Sequence, residues 1–283
     1  MILSGKARLA GVMGWPVTHS RSPRLHGYWL RERGIDGAYV PLAVAPENLA
    51  AALAALPVLG FRGVNLTVPH KEAAVALCDA VDDHARRIGA VNTIAVDADG
   101  KLHGGNTDGY GFLENLCQES AWQADDGPAV LLGAGGAARA IAVALLDAGV
   151  PALRIANRTA ARAEALAAAL DGPVETVAWA DRATALSDAA LLVNTTTLGM
   201  TGAPPLAIDL AALPAAAVVN DIVYAPLETD LLATARARGN PAVDGLGMLL
   251  HQARPGFEKW FGVRPTVDAG LRAFVLSDLG SQE

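Results

Sequence analysis

The sequence predicts an α/β protein in two domains, the second of them a doubly wound, mainly parallel sheet. Three observations predict it. Apolar strand-like runs alternate with helical stretches at the spacing of βα units. The 283 residues lie near the size at which a single core stops growing and chains divide. After a polar stretch the alternation restarts at a glycine-punctuated segment, "AVLLGAGGAARA". With 52% hydrophobic and 18% charged residues, the chain can build substantial cores and does not have the composition of a disordered one.

In chain order, "RLAGVMG", "AYVPLAV" and "FRGVNLT" have the continuous apolar character of buried strands, and each precedes a helical segment. The third runs into "VPHKEAA", which reads as a helix with Pro69 at its first position and Lys71 in its first turn. A cation there faces the positive end of the helix dipole, a mild penalty that an exposed side chain can tolerate. "AVNTIAVDADGKLHGGNT" reads as a hairpin turned by Asp99-Gly100. A helix from Tyr110 to Glu119 follows, then the polar "SAWQADDGP", the best linker candidate. The second series of strands and helices begins at "AVLLGAGGAARAIAVALLDAGV", and two helices between Gly247 and Leu279 close the sequence, able to return to the first domain.

Composition excludes several functions. A formal net charge of −7 leaves no electrostatic footprint for nucleic acid. Cys78 and Cys117 are the two cysteines, too few for a disulfide framework, so reduced thiols in a cytoplasmic protein are expected. The start, "MILSGKARLAG", lacks the apolar core of a signal peptide. The most apolar stretch is broken by Arg139, Asp147 and glycines, so no membrane span is expected. The six histidines form no close pair with Cys or acid in a metal-binding spacing, and no metal is expected.

The sharpest chemical signal is the strand–turn–helix of "AVLLGAGGAARA". Gly133 and Gly135 permit a tight turn and close approach of backbone to a pyrophosphate, and small Ala138 lets helix and strand pack closely. Gly133, Ala134, Gly135, Gly136 and Ala137 then form the expected phosphate-contacting turn, whose N–H groups face the anion. Such a glycine string alone is weak; flanked by an apolar strand and an apolar helix, it points to a Rossmann-type dinucleotide site. The next strand, "LRIAN", selects the dinucleotide. An NAD site places an acid roughly 20 residues after the first glycine. Here the segment reads "NRTAARAEAL", in which Asn157, Arg158, Thr159 and Arg162 offer neutral or cationic donors suited to a 2′-phosphate. NADP is therefore the expected cofactor, against the plainer reading of Thr159 as a helix cap and both arginines as solvated surface.

Elsewhere polar groups gather at predicted strand ends, where open α/β sheets bind ligands. "GWPVTHSRSPRLHG" places Ser20 and Ser22 before Pro23 at a helix start, a setting that accepts a carboxylate, although Ser22 followed by Pro23 also suits an ordinary N-cap. Asp108 in "GGNTDGYG" suits a helix cap, and Asn65, Thr67 and Asn92 suit turns.

Taken in order, "GWPVTHSRSP", "GVNLTVPHKEAA", "GAVNTI", "NTDGYG", "GAGGAARA", "NRT", "NTTTLGM" and "DGLGMLLHQA" resemble the shikimate dehydrogenase family over nearly the whole chain. The resemblance implies a substrate lobe built from both chain ends, 1–108 and 244–283, around a Rossmann-like NADP-binding lobe with its connecting helix, 109–243. It implies Lys71 and Asp108 as the catalytic pair, Ser20, Ser22 and Tyr224 on the substrate carboxylate, and Asn65, Thr67, Asn92 and Gln252 on ring hydroxyls or the reacting oxygen. "NTTTLGM" and "GLGM", with Gly245 and Met248, resemble the family's nicotinamide-side segments.

The implied reaction is reversible reduction of 3-dehydroshikimate by NADPH, in the route to chorismate and the aromatic amino acids. Lys71 would donate the proton as hydride arrives, which accounts for a cation kept in an unfavourable place. Two alternatives stand: a quinate/shikimate dehydrogenase of broader specificity, and a non-catalytic NADPH-binding regulator. A small-molecule substrate, no nucleic acid, no membrane and an open question of homodimerisation complete the expected partners. The chain departs from the family at His26-Gly27, where His-Asn is common; a glycine inside a helix costs about 0.5–1 kcal/mol relative to alanine.

Overall fold

In the computed structural model, which describes residues 2–277, the chain divides into two compact units. One comprises the residues up to Thr107 and those from Gln252 onward; the other is Asp108–His251.

The first unit is built on β1 (Arg8–Gly14), β2 (Gly37–Ala43), β3 (Phe61–Leu66), β4 (Ala80–Val81), β5 (Thr93–Val96) and β6 (Leu102–Gly105), with α1 (Ser22–Glu32), α2 (Leu49–Val58) and α3 (Asp83–Ile88). The strands form one sheet in the order β2-β1-β3-β5-β6-β4. It is mixed rather than mainly parallel: β1 runs parallel to β2 and β3, but the β5–β6 hairpin enters antiparallel beside β3. The hairpin turns as its sequence predicts, with a longer loop. Asp97 N–H donates to Lys101 O at 3.1 Å, and Asp97 Oδ1 accepts from Asp99 N and Lys101 N, both at 2.9 Å. Gly100 takes the left-handed position at φ +77°.

α1 buries Leu25, His26, Trp29 and Leu30 along one stripe. It runs unbroken through Gly27, so the glycine does not disturb the helix. On one face of the sheet Leu53 and Leu56 of α2 pack with Met13, Val64, Leu66 and Ile94.

One expected helix is absent. After β3 the chain makes turns and only a short 3-10 segment, Ala73–Ala76, so Lys71 lies in a turn ahead of it and faces no helix dipole. The backbone of this stretch is tied down locally instead, by His70 N to Thr67 O at 2.9 Å and Ala74 N to His70 O at 3.1 Å.

The second unit contains α4 (Asp108–Glu119), β7 (Ala129–Leu132), α5 (Gly136–Ala148), β8 (Leu153–Ala156), α6 (Ala160–Ala168), β9 (Val174–Val177), β10 (Leu191–Asn194), β11 (Val218–Asp221), α7 (Asp230–Ala237) and β12 (Ala242–Val243). Its sheet has the order β12-β11-β10-β7-β8-β9 and is parallel throughout. All of β7 is buried, covered on one side by α4 and α5 through Phe112, Leu116, Ile141 and Leu145. Leu210, Leu213, Leu231 and Leu232 cover the other face. "SAWQADDGP" does not separate the units: Trp122 is buried in this same core and anchors the segment there.

The final elements are α8 (Leu246–Phe261) and α9 (Ala269–Leu276). The division between units falls inside α8, so residues 244–251 group with the nucleotide-type sheet. From Gln252 the chain packs on the first unit. Trp260 Nε1 donates to Ile94 O at 2.9 Å, Trp29 Nε1 donates to Thr266 O at 3.0 Å, and Arg24 lies 4.0 Å over the Phe274 ring. The last residues of the helix expected to reach Leu279 lie outside the described residues.

Candidate active site

In the first unit the register aligns Val12, Asn65 and Thr93 across β1, β3 and β5, which brings Asn65 beside the first residue of β5 and the Asn92 that precedes it. Asn65 Nδ2 donates to Asn92 O at 3.1 Å and to Thr93 Oγ1 at 3.0 Å, while its Oδ1 accepts from Tyr39 Oη at 2.7 Å. Asn92, 4% exposed, gathers three donors on Oδ1: Thr93 Oγ1 at 2.8 Å, Thr107 N at 2.9 Å and Thr107 Oγ1 at 3.2 Å. Both amide hydrogens of Asn65 are thus engaged within the protein, leaving it one acceptor position for a ligand.

Ser22 opens α1, but Arg21 is the N-cap and no side chain caps that helix. Ser20 Oγ accepts from Ser22 N at 3.4 Å, so the two serines sit together at the helix start. Thr67 follows β3 against Gly14, where a Cβ would come within 2.4 Å of its Cγ2, so the bare glycine lets the two strand ends pack closely.

Lys71 is half-buried and its backbone is fixed from both sides. Val91 N donates to Lys71 O at 2.8 Å, and the buried ring of neighbouring His70 meets Val44 O at 2.8 Å through Nε2. Gln252, also half-buried, begins the returning part of α8.

The second unit places the glycine turn at the point where the strand order reverses, between β7 and β10, as open α/β sheets do. Gly133 has φ +112°, and a Cβ there would lie 2.5 Å from Thr195 Oγ1, so both conformation and space demand glycine. Around Gly135 and Gly136 a Cβ would meet nothing within 4 Å. Gly135 is the N-cap of α5 and brings no side chain, so the first-turn N–H groups have no intrahelical partner and open ground before them. Ala134 and Ala137 flank them, half-buried.

Asn157 Nδ2 donates to Thr159 O at 2.9 Å; Thr159 is the N-cap of α6, yet its hydroxyl makes no cap bond. Arg158 and Arg162 are exposed, and no acid stands between Asn157 and Arg162. These features fit a dinucleotide with a 2′-phosphate.

Sequence reasoning missed a buried carboxyl below this sheet end. Asp221 ends β11, with Oδ1 accepting from Asn194 Nδ2 at 2.9 Å and Val223 N at 3.0 Å, and Oδ2 from Thr229 Oγ1 at 2.7 Å. Asn194 in turn accepts from Thr196 N at 3.0 Å and Thr196 Oγ1 at 2.7 Å, and donates to Leu198 O at 3.1 Å. One carboxyl therefore ties together the "NTTTLGM" loop, the loop bearing Tyr224 and the start of α7. Burial pushes its pKa up to about 6 despite those three donors.

Gly245 lies against Ile222, whose carbonyl oxygen would be 2.2 Å from a Cβ, and Met248 packs in the core, 8% exposed. Tyr224 is half-buried in its loop, and Asp108 is the first residue of α4, 3% exposed. Tyr39, Thr93, Thr107 and Asp221 were not legible as site residues, because in the sequence each passes as an ordinary strand or loop residue.

These features define a class: an NADP-type dinucleotide-binding α/β protein that carries a second α/β unit rich in polar side chains. Three family models match the chain: the shikimate dehydrogenase substrate binding domain over residues 12–94, shikimate / quinate 5-dehydrogenase over 115–200, and the shikimate 5'-dehydrogenase C-terminal domain over 245–273. The shikimate dehydrogenase (NADP(+)) of Paramagnetospirillum magneticum is 67% identical over 276 residues, 97% of this chain and 100% of that protein. Among solved structures, shikimate 5-dehydrogenase from Thermus thermophilus in complex with NADP(H) and shikimate is 38% identical with a TM-score of 0.85, covering 95% of this chain and 99% of that one. Quinate dehydrogenase from Corynebacterium glutamicum in complex with NAD is 34% identical with a TM-score of 0.89, covering 96% and 99%. The chain belongs to the shikimate dehydrogenase family.

Proposed function

We propose that the protein is an NADP-dependent shikimate dehydrogenase, reversibly reducing 3-dehydroshikimate to shikimate in the route to the aromatic amino acids. The observation that carries this reading is the 67% identity to an NADP-dependent relative along 97% of the chain, on a fold whose segment after β8 offers Asn157, Arg158, Thr159 and Arg162 with no acid among 157–162. The residues that would hold NADP are the turn Gly133–Ala137 at the diphosphate and that donor set at the 2′-phosphate, with Gly245 and Met248 towards the nicotinamide. When bound, NADPH supplies the hydride.

Ser20, Ser22 and Tyr224 take the substrate carboxylate. Thr67, Asn92 and Gln252 take ring hydroxyls, and Asn65 accepts from one. Lys71 gives its proton to the ketone oxygen and, in reverse, takes it back as the neutral amine; Asp108 supplies the carboxylate that keeps the ammonium in play. Immobile backbone around Lys71 suits a group that must hold its place during transfer.

No helix among the described residues is long and apolar enough to cross a membrane. With Cys78 and Cys117 both free thiols, we place the protein in the cytoplasm.

Absorbance at 340 nm, followed with shikimate and with quinate under NADP and under NAD, tests the assignment. Shikimate with NADP is the expected best pair. Comparable rates with quinate would move the protein to the broader quinate/shikimate group, and no turnover with either acid would leave a nucleotide-binding regulator. Lys71→Ala should lower turnover by about 10²–10⁴ with NADPH affinity unchanged; near-normal turnover would remove Lys71 as proton donor.

A further inference from the structure

The polar ladder of the first unit has only one order of hydrogens. Asn92 O can only accept, so the Asn65 atom facing it is Nδ2, and Oδ1 must face Tyr39. A carbonyl-type oxygen cannot donate, so Tyr39 Oη gives its single hydrogen to Asn65.

Tyr39 can hold this place because its ring cannot move. It is 7% exposed, and the His26 imidazole lies flat on it, 3.9 Å between centroids and 4° from parallel. Trp260 closes in at 5.9 Å. Both His26 nitrogens are buried without hydrogen-bond partners, so the ring serves as a packing plate on Tyr39 rather than as a polar group.

We propose that Tyr39 is a positioning residue for substrate: it fixes Asn65 with an acceptor and no N–H turned to the ligand. Asn65 thereby selects a substrate hydroxyl that donates. The inference rests on the assignment of Asn65 to substrate binding.

Steady-state kinetics of Tyr39→Phe, which keeps the ring and its stack and removes one hydroxyl, tests it, with folding checked by near-UV circular dichroism. The KM for shikimate should rise about 5- to 10-fold, with kcat and the KM for NADP nearly unchanged. Combined with Asn65→Ala, the two effects should be non-additive, the double variant little worse than Asn65→Ala alone. An unchanged KM in Tyr39→Phe while Asn65→Ala raises it would overturn the role of Tyr39 and leave the substrate assignment standing. Strict additivity would overturn it equally. Unchanged KM in Asn65→Ala would instead remove the assignment beneath it. Should Tyr39→Phe lose its native near-UV spectrum, His26→Leu gives the second measurement: a looser plate should raise the KM for shikimate and leave kcat, and no change in KM would count against the proposal.

Discussion

Under the proposed assignment, an exposed guanidinium carries the cofactor preference. Arg158 follows β8 with its side chain in solvent and, like Arg162, makes no ion pair among the described residues, so its donors are available to a phosphate. Arg158→Ala should weaken NADPH far more than NADH, measured as separate KM values or by fluorescence titration of each nucleotide. Equal losses for both would mean that the arginine only shapes the loop. Lys71 teaches the opposite lesson about reading one residue. The sequence suggests a cation at a helix terminus, and its oddity there was the first hint of function; the structure removes the helix and keeps the lysine pinned by its neighbours. What the structure adds is how Val91 and His70 hold the chain around it, which no local pattern announces.

At the scale of elements, α1 shows what a family departure costs. Gly27 is exposed, and a Cβ at that point would meet nothing within 4 Å, so the position offers no contact that an Asn side chain would be needed to make in this unit. Gly27→Ala should raise unfolding stability by about 0.5–1 kcal/mol in urea titrations, through helix propensity and a less flexible unfolded chain. A loss of stability would show that the helix needs a glycine there for reasons other than space. The strands, the glycine turn and the ribose segment were legible because each is written in a short window: apolar runs, a fixed glycine spacing, a missing acid. The antiparallel entry of β5 beside β3, the Tyr39–Asn65 bond and the Asp221 clamp were not, because each joins residues far apart in sequence through a register or a bend that only packing decides.

For the molecule as a whole, the acid limb of stability should bear the mark of His26. Burial holds its imidazole down to a pKa of about 3, whereas in the unfolded chain it takes a proton at its ordinary 6.5. The unfolded state therefore binds more protons between those values. This residue's contribution is complete above pH 6.5 and is lost as pH falls towards 3, by about 3 kcal/mol at pH 4. In His26→Phe, which cannot titrate, the loss of unfolding free energy between pH 7.5 and 4 should be smaller than in the parent by about that amount. Parallel pH profiles would show that the ring is charged in the folded protein.

Asp221 works in the other direction. Its carboxyl sits near pKa 6 when folded against 3.8 in an open chain, so its contribution is complete below 3.8 and is lost as pH rises through 6. At about pH 5 the native protein thus carries a proton on Asp221 and none on His26, and the fully unfolded chain the reverse. Complete unfolding at that acidity passes one hydrogen ion from an acid to a base within the same polypeptide, and from these two groups the surrounding buffer gives up and receives almost nothing.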